Sequence, residues 1–310
     1  MGIIMDIEEQ TIIVKPRKIV SNMTAESWET IPHAVVGYEA DVTEFMKEFK
    51  KLNEDCTDKA KKITLNTVML KVISEGLMAA PKMNCTLEFN RKLVRGKLYY
   101  HNRVNVSMPA TLPDGKMMTV NLRHIESKNL TKITELVNDT MRRMANTDMN
   151  EAMYEVSLDN TLKGLKKGKI KQAIYRLVGS KTGRHRVRTL TGEAKKKYYS
   201  IPVKDRLTKK DIEQGTVTVS NLGSIHREQK GMCFLLEIIP PQVTAIGINA
   251  VQRKPVVVTD ENGNESIEIR SIMPLTIAFD HKALDYGDVV PFCDRLDEIF
   301  ENPSVIHEWR

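Results

Sequence analysis

The sequence lacks the features of several large protein classes. No apolar run approaches the roughly 18 residues of a transmembrane helix, and the segment Met1–Ile12 contains acidic residues without the basic start of a signal peptide. The four cysteines form no C-x-x-C pair, and no zinc-binding spacing is present. We therefore expect reduced thiols, a cytoplasmic location and no metal. The cysteines are Cys56, Cys85, Cys233 and Cys293.

Length and composition indicate an ordinary globular protein. The 310 residues are 41% hydrophobic and 28% charged, which is enough apolar material for one sizeable core. We therefore expect residues 1–310 to form a single domain, interrupted by a basic insertion at about residues 163–210.

Positive charge is concentrated in that one segment. Between Lys163 and Lys210 there are 12 Lys and 5 Arg against 2 acidic residues, a net charge of +15, although the whole chain carries only +7. The rest of the chain is therefore at −8. The segment shows no helix-turn-helix or zinc-finger pattern, so nucleic acid is not an expected partner.

Hydrophobic spacing predicts alternating helices and strands. We predict a helix and then a strand at about 33–40, followed by a helix that starts with an Asp41/Glu44 capping box. A helix from Thr64 ends at Pro81, and a further helix starts at Ser127. The other predicted elements are strands at 93–100, 103–110, 117–122, 215–222, 243–250, 255–259 and 266–279, a turn at Pro113–Gly115, a turn at Glu261–Asn264, and a last helix from about Asp288.

Two predicted strands end in chemically useful side chains. The apolar run Ile272–Phe279 leads to His281, and imidazole is well suited to accept a thiol proton near neutral pH. The carboxylate of Asp285 follows four residues later. Another strand ends at Ser220, and a hydroxyl placed there is able to donate to an oxyanion. Taken singly, a structural histidine and an ordinary strand-to-turn transition explain these segments better.

In combination and in order, the segments resemble the catalytic domain of dihydrolipoamide acyltransferases, the thioester-transfer components of 2-oxoacid dehydrogenase complexes. The resemblance covers nearly the whole chain except about residues 170–205. It rests on Arg17-Lys18-Ile19, Ser27-Trp28, Ile31-Pro32-His33, Glu39–Thr43, Pro81–Asn84, Asn105-Val106, Pro113-Asp114-Gly115, Gly215–Gly223, Pro240-Pro241-Gln242 and Asp280-His281-x-x-x-Asp285.

This resemblance implies a chloramphenicol-acetyltransferase-like, two-layer α/β fold, in which helices pack on a mixed β-sheet and the chains form homotrimers. It also implies a channel between subunits that coenzyme A enters from one end and dihydrolipoyl-lysine from the other. By position, His281 would be the general base, Ser220 of the partner subunit would donate to the oxyanion, and Asp285 would hold the active-site turn. No metal is implied, and the residues that contact coenzyme A are not identifiable.

The sequence departs from the family pattern at several points. Lys282 replaces the usual Arg, and Tyr286 stands where Gly is usual, with Gly287 one position later; a tyrosine there could reshape the mouth of the channel. No lipoyl domain or subunit-binding domain is seen, so we expect the lipoyl group on a separate protein. The last residues lack the leucine-rich tail of cage-forming relatives, so we expect a trimer and no large cage.

The basic segment has four readings. It could form a cationic rim for the phosphates of coenzyme A, or dock an acidic carrier such as a separate lipoyl domain. It could also face an anionic membrane, because Ile170, Ile174, Leu177 and Val178 alternate with basic residues, or it could be a solvated loop. A carrier protein is the expected partner, and a membrane is not.

We therefore predict an acyltransferase that moves an acyl group between coenzyme A and a thiol acceptor. Two alternatives stay open. The acceptor could be a small-molecule hydroxyl, since the same histidine would serve. The chain could instead be a non-catalytic trimeric scaffold, an idea that Tyr286 motivates and that His281, Ser220 and Asp285 argue against.

Overall fold

The computed structural model describes residues 15–111, 117–166, 170–171, 174–175 and 189–310. Its helices are α1 (Lys15–Thr30), α2 (Thr43–Lys51), α3 (Leu65–Ala79), α4 (Leu130–Ala145), α5 (Met149–Lys166), α6 (Gly192–Ser200), α7 (Lys209–Ile212), α8 (Leu222–Ile225) and α9 (Tyr286–Glu301). Its strands are β1 (His33–Asp41), β2 (Cys85–Asn90), β3 (Arg95–Tyr100), β4 (Val106–Thr111), β5 (Met117–Leu122), β6 (Val217–Asn221), β7 (Thr244–Ile248), β8 (Gln252–Thr259) and β9 (Glu265–Asp280).

The main sheet is mixed, as the sequence predicted. Its order is β1-β9-β7-β6-β4-β5, with β8 paired to the first half of β9. Strand β6 runs parallel to both β4 and β7, while the other pairs are antiparallel. Strands β2 and β3 form a separate hairpin. The predicted α/β class, helices packed on a mixed sheet, is confirmed.

The two faces of the sheet are covered unequally. Ile246 and Ile277 face the large core, which α2, α3, α4 and α9 complete. The alternate residues Ala245 and Ala278 face a much smaller cluster with Ile238, because successive side chains on a strand point to opposite faces. Helices therefore pack mainly on one side of the sheet.

Local sequence signals fixed some helix ends and misassigned others. Helix α3 starts where it was predicted, and the Thr64 hydroxyl caps it by accepting a hydrogen bond from the Thr67 amide at 3.1 Å. The capping box of Asp41 and Glu44 is wrong, because Val42 is the N-cap and makes no side-chain cap bond. Asp41 instead accepts hydrogen bonds from the Thr43 amide at 2.9 Å and from Arg270 of β9 at 2.8 Å.

Of two hairpins in the structure, the sequence predicted the turn of one and only one strand of the other. The predicted turn at Glu261–Asn264 joins β8 to β9, with Gly263 at a φ of +83°. Strand β2 was not predicted, and the predicted strand at 93–100 begins only at Arg95, since Val94 adopts a φ of +48°. The turn predicted at Pro113–Gly115 lies outside the described residues.

The described part of the basic segment is helical at both ends. Helix α5 leads into it, and α6 and α7 lead out of it towards β6. Leu177 and Val178, two of the apolar residues that alternate with basic ones in this segment, lie outside the described residues. Among the helices that are described, none combines the length and apolar character needed to cross a bilayer.

Candidate active site

The turn that carries His281 is fixed on both sides by neighbouring segments. Strand β9 ends at Asp280, whose amide donates to the Val243 carbonyl at 2.8 Å, and the His281 amide donates to the Pro32 carbonyl at 3.0 Å. These contacts come from the segments that precede β7 and β1. A half-exposed imidazole on so constrained a backbone has a defined position and access to solvent.

Asp280 is the buried anchor of this turn. Its carboxylate accepts a hydrogen bond from the Lys282 amide at 2.9 Å and lies 3.1 Å from the Lys282 ammonium. The same ammonium donates to the Thr30 carbonyl at the end of α1. Lys282, which replaces the usual arginine, therefore ties α1 to the turn while neutralising a buried charge.

Asp285 combines a capping role with proximity to the histidine. It is the N-cap of α9 and forms a capping box with Asp288, whose carboxylate accepts from the Asp285 amide at 3.0 Å. Its own carboxylate lies 3.5 Å from His281 Nδ1 and is 86% exposed. That distance allows a charge interaction but not a strong hydrogen bond. The geometry fits the predicted role of holding the turn.

A further ion pair braces the start of α9. The Lys82 ammonium lies 2.7 Å from the Asp288 carboxylate, which holds the pKa of Asp288 below its usual range through a hydrogen bond from Lys82. Lys82 follows α3 and is 206 positions from Asp288 in the sequence. No sequence spacing therefore predicted this ion pair.

In the sequence, His33 was noted only as part of the Ile31-Pro32-His33 segment. The structure shows that its side chain connects two segments of the fold. Its Nε2 accepts a hydrogen bond from the Ile238 amide at 3.1 Å, and Ser27 Oγ lies 3.2 Å from the same atom. Ser27 in turn donates to the Ile238 carbonyl at 2.7 Å. Burial lowers the pKa of His33. The neutral ring thus joins α1 to the segment that precedes β7.

Ser220 lies near the end of β6, on a well-fixed part of the sheet. The next residue, Asn221, caps α8 by accepting from the Ser224 amide at 2.9 Å and donates to Asn66 of α3 at 3.0 Å. Gly223 packs closely against the chain just after β7. A Cβ atom added to Gly223 would stand 2.8 Å from Ala250 Cα. The predicted hydroxyl donor is therefore half-buried on a rigid strand end.

Earlier in β6, Thr218 donates to the buried side chain of Gln242 at 2.7 Å. Gln242 donates in turn to the Gly215 carbonyl at 2.9 Å. This bridge explains why the Pro240-Pro241-Gln242 segment accompanies the β6 motif.

One chain does not bring His281 and Ser220 together. Ser220 is in register with Gly247 of β7, and Gly247 is in register with Thr276 of β9. His281 lies five residues beyond Thr276 and two strands away from β6, so the two Cα atoms are on the order of 20 Å apart. Because a reacting carbonyl must lie about 3 Å from both groups, a single chain cannot assemble the predicted pair.

Tyr286 and Gly287 lie in the first turn of α9. Tyr286 is the first residue of α9, and its side chain is exposed. A Cβ atom added at Gly287 would meet no other atom. Within this chain, neither position requires a glycine for packing.

A cleft of about 630 Å³ borders the same turn. Its lining includes Trp28, Phe89 and Pro240–Pro241, together with the charged residues Asp280 and Lys282. Neither His281 nor Ser220 lines it. No cluster of three or more His, Cys, Asp or Glu that could hold a metal ion occurs among the described residues.

Comparison with known proteins gives a consistent result. The family model for the 2-oxoacid dehydrogenases acyltransferase (catalytic domain) matches residues 6–156 and 193–308. The dihydrolipoyllysine-residue acetyltransferase component of the pyruvate dehydrogenase complex of Rickettsia bellii is 22% identical over 291 residues, which are 94% of this chain and 52% of that protein. The corresponding Buchnera aphidicola protein is 25% identical over 268 residues, which are 86% and 48% of the two chains.

Solved structures show the same fold. A probable dihydrolipoamide acetyltransferase from Listeria monocytogenes superposes with a TM-score of 0.64 at 17% identity, covering 96% of each chain. The Azotobacter vinelandii dihydrolipoamide acetyltransferase gives a TM-score of 0.62 at 17% identity and covers 99% of this chain and all of that one. This chain spans about half the length of the curated relatives it matches. It belongs to the family of 2-oxoacid dehydrogenase acyltransferase catalytic domains.

Proposed function

We propose that this chain transfers an acyl group between coenzyme A and the thiol of a dihydrolipoyl group carried on a separate protein. The observation that carries the proposal is the geometry of the His281 turn, an accessible imidazole on a backbone fixed from both sides with a carboxylate beside it. The single catalytic domain, its basic insertion and its cytoplasmic location stay predictions of the same proposal.

In the proposed reaction, His281 takes the proton from the attacking thiol, and the thiolate adds to the thioester carbonyl carbon. The partner subunit's Ser220 donates a hydrogen bond to the resulting oxyanion, an interaction worth roughly 3 kcal/mol in the transition state. Collapse of the intermediate breaks the original carbon–sulfur bond, and the leaving thiolate recovers the proton from His281. Neither a metal nor an acyl-enzyme enters this sequence.

The homotrimer is part of the proposal because one chain leaves His281 and Ser220 on the order of 20 Å apart. A cyclic arrangement allows each histidine to face the serine of the next copy. The hairpin of β8 and β9 also exposes Val257, Ile267 and Ile269, and an uncovered aliphatic surface of this kind suits a contact between copies.

The relatives support the choice of residues. In the Azotobacter vinelandii enzyme, a serine, a histidine and an asparagine four positions after that histidine have been investigated for roles in catalysis. The same spacing separates His281 from Asp285 here, with a carboxylate in place of the amide.

The first test is acyl transfer from acetyl-CoA to free dihydrolipoamide, followed as loss of the thioester. We expect His281→Ala and Ser220→Ala each to lower turnover by about two orders of magnitude or more. Equal rates in the wild type and His281→Ala would reject the general base.

Mixing the two inactive variants tests the shared site. After subunit exchange, each mixed trimer contains one site with an intact histidine and an intact serine. An equal mixture should then regain roughly a quarter of wild-type activity. No recovery, despite mass-spectrometric evidence of mixed trimers, would contradict a site shared between subunits.

The alternatives predict different results from the same assay. An enzyme that acylates a small-molecule hydroxyl would consume acetyl-CoA with chloramphenicol but not with dihydrolipoamide. A non-catalytic scaffold would transfer no acyl group to either acceptor, whether or not it binds coenzyme A.

A further inference from the structure

The basic segment takes no part in the proposed chemistry, yet several of its described residues are helical and exposed. The family match stops at residue 156 and resumes at 193, so most of the segment is additional to the family's domain. Helix α5 overlaps the start of the segment and α6 lies within it. Side chains of these two helices are hydrogen-bonded to each other. Tyr199 of α6 donates to Glu151 at 3.1 Å and to Glu155 at 3.0 Å, both on α5.

Helix α5 bears a row of exposed leucines. Leu158, Leu162 and Leu165 follow the spacing i, i+4, i+7, which places them on one face of the helix. Two turns earlier, the same face is covered, since Glu151 is buried beneath the Leu190 amide and Tyr199. Leu162 is 51% exposed, and no described part of the chain covers this row.

Further apolar residues are exposed beyond the end of α5. Ile170 and Ile174 are helical, one turn apart and exposed, and Tyr175 is 77% exposed. We call Leu158, Leu162 and Leu165 the aliphatic row. Six large apolar side chains between Leu158 and Tyr175 are therefore in contact with water.

Positive charge accompanies the aliphatic row. Lys171 is exposed, as are Lys195, Lys196 and Lys197 on α6, the helix joined to α5. The segment from Lys163 to Lys210 has a net charge of +15 and the remainder of the chain −8. The exposed lysines would attract an anionic surface to this part of the chain.

The combination of aliphatic and basic residues favours the membrane reading over the solvated loop and the phosphate-binding rim; the acidic carrier is separated from it by experiment. A solvated loop has no reason to expose a row of leucines. Phosphates of coenzyme A or of nucleic acid require cations but gain nothing from aliphatic side chains. Exposed aliphatic residues flanked by lysines are typical of helices that lie in the interface of an anionic membrane.

We infer that the aliphatic row and its flanking lysines bind the surface of an anionic lipid bilayer, without crossing it. This differs from the sequence-based expectation that a membrane is not a partner, because the exposure of the leucines was not readable from the sequence. The inference is independent of the proposed acyltransferase activity.

The test is flotation of the full chain with vesicles of phosphatidylcholine containing about 30% phosphatidylglycerol, against vesicles of phosphatidylcholine alone. We expect binding to the first and little to the second. Raising the salt from about 0.1 M to 0.5 M should weaken binding several-fold, because it shortens the range of electrostatic attraction.

A matched pair of variants isolates the aliphatic row. Leu162→Glu should weaken binding by about 10-fold or more. Met78→Glu, at a residue of α3 with 50% exposure, makes the same charge change elsewhere and should bind like the wild type. Leu162→Ser removes the apolar side chain without adding charge and should also weaken binding. Acyl transfer in the absence of vesicles should be the same for all three.

The inference is overturned if the protein does not prefer the anionic vesicles, or if Leu162→Glu and Leu162→Ser bind as well as Met78→Glu. Binding to soluble poly-glutamate without binding to vesicles would assign the segment to an acidic protein partner instead. Binding to anionic vesicles that depends on Leu162 would support the inference even if no acyl transfer were found.

Discussion

At the scale of single residues, buried polar groups determine where the candidate active-site turn lies. Asp280 is buried and is neutralised by Lys282, which also reaches Thr30. His33 and Ser27 hold the neighbouring segment through Ile238. These residues touch no reacting atom in the proposed mechanism, so their substitution should act through the position of His281.

Two substitutions of Asp285 separate the effect of its charge on His281 from its role as the N-cap of α9. In Asp285→Asn the amide still caps α9, while the carboxylate beside His281 is lost. Because that carboxylate is 3.5 Å away and largely exposed, we expect turnover to fall by less than about 10-fold. Asp285→Ala removes the cap as well and should lower the unfolding free energy by about 1 kcal/mol.

Steady-state assays and urea unfolding of the two Asp285 variants would measure both effects. A loss of more than about 100-fold in Asp285→Asn, with unchanged stability, would mean that the carboxylate acts in the chemistry itself.

The buried position of His33 leads us to predict that the free energy of unfolding depends on pH. Burial lowers the pKa of His33 in the folded protein below its ordinary value of 6.5, so the unfolded chain takes up the proton first. The contribution of His33 is therefore complete above about pH 6.5 and is lost as the pH falls through that value towards the folded pKa.

His33→Gln retains an acceptor for the Ile238 amide but does not titrate. We expect the wild type to lose more unfolding free energy than this variant between about pH 7.5 and 5.5, as measured by urea unfolding. Parallel losses in the two proteins would show that His33 is not the group responsible.

At the scale of elements, the rigidity of the β6–α8 junction depends on close packing against the chain after β7. A Cβ atom on Gly223 would stand 2.8 Å from both Cα and N of Ala250, and backbone atoms cannot move aside easily. Gly223→Ala should therefore lower the unfolding free energy by about 1–3 kcal/mol and displace Ser220.

Gly287 provides the control for the Gly223 substitution. It lies in the first turn of α9, and an added Cβ would meet nothing. Gly287→Ala should leave stability unchanged or raise it slightly, since alanine favours helix. Urea unfolding of both variants makes the comparison, and equal effects would argue against the close approach at Gly223.

At the scale of the whole molecule, the proposed activity requires more than one copy of the chain. We expect a particle of about 106 kDa, three times the chain mass of 35.3 kDa. Specific activity should fall on dilution together with the mass measured by light scattering, because a dissociated chain has no partner serine. Full activity in a particle of monomer mass would refute the shared site.

Much of the architecture followed from the sequence because the signals were local. The cap at Thr64 and the apolar spacing of α3 involve residues within one or two turns. The two strand ends at Ser220 and His281 carry their polar side chains immediately after apolar runs. Ordered segments that resemble one family also identified the fold before any contact was known.

Local signals failed where a distant partner was decisive. Asp41 had the spacing of a capping box, but Arg270 on the neighbouring strand binds it instead. The last helix begins at Tyr286, two residues before the predicted start, although its Asp285/Asp288 capping box is a local signal. Lys82 and Asp288 are 206 positions apart in the sequence, and no spacing rule connects them.

The sequence by itself determined the order of the elements, the family, and the side chains able to accept a proton and to donate to an oxyanion. Only the tertiary structure decided which charges meet, that His281 and Ser220 lie far apart in one chain, and which leucines of α5 face water. The physical reason is that helix and strand periodicity depend on residues a few positions apart, whereas sheet register and burial depend on residues hundreds of positions apart.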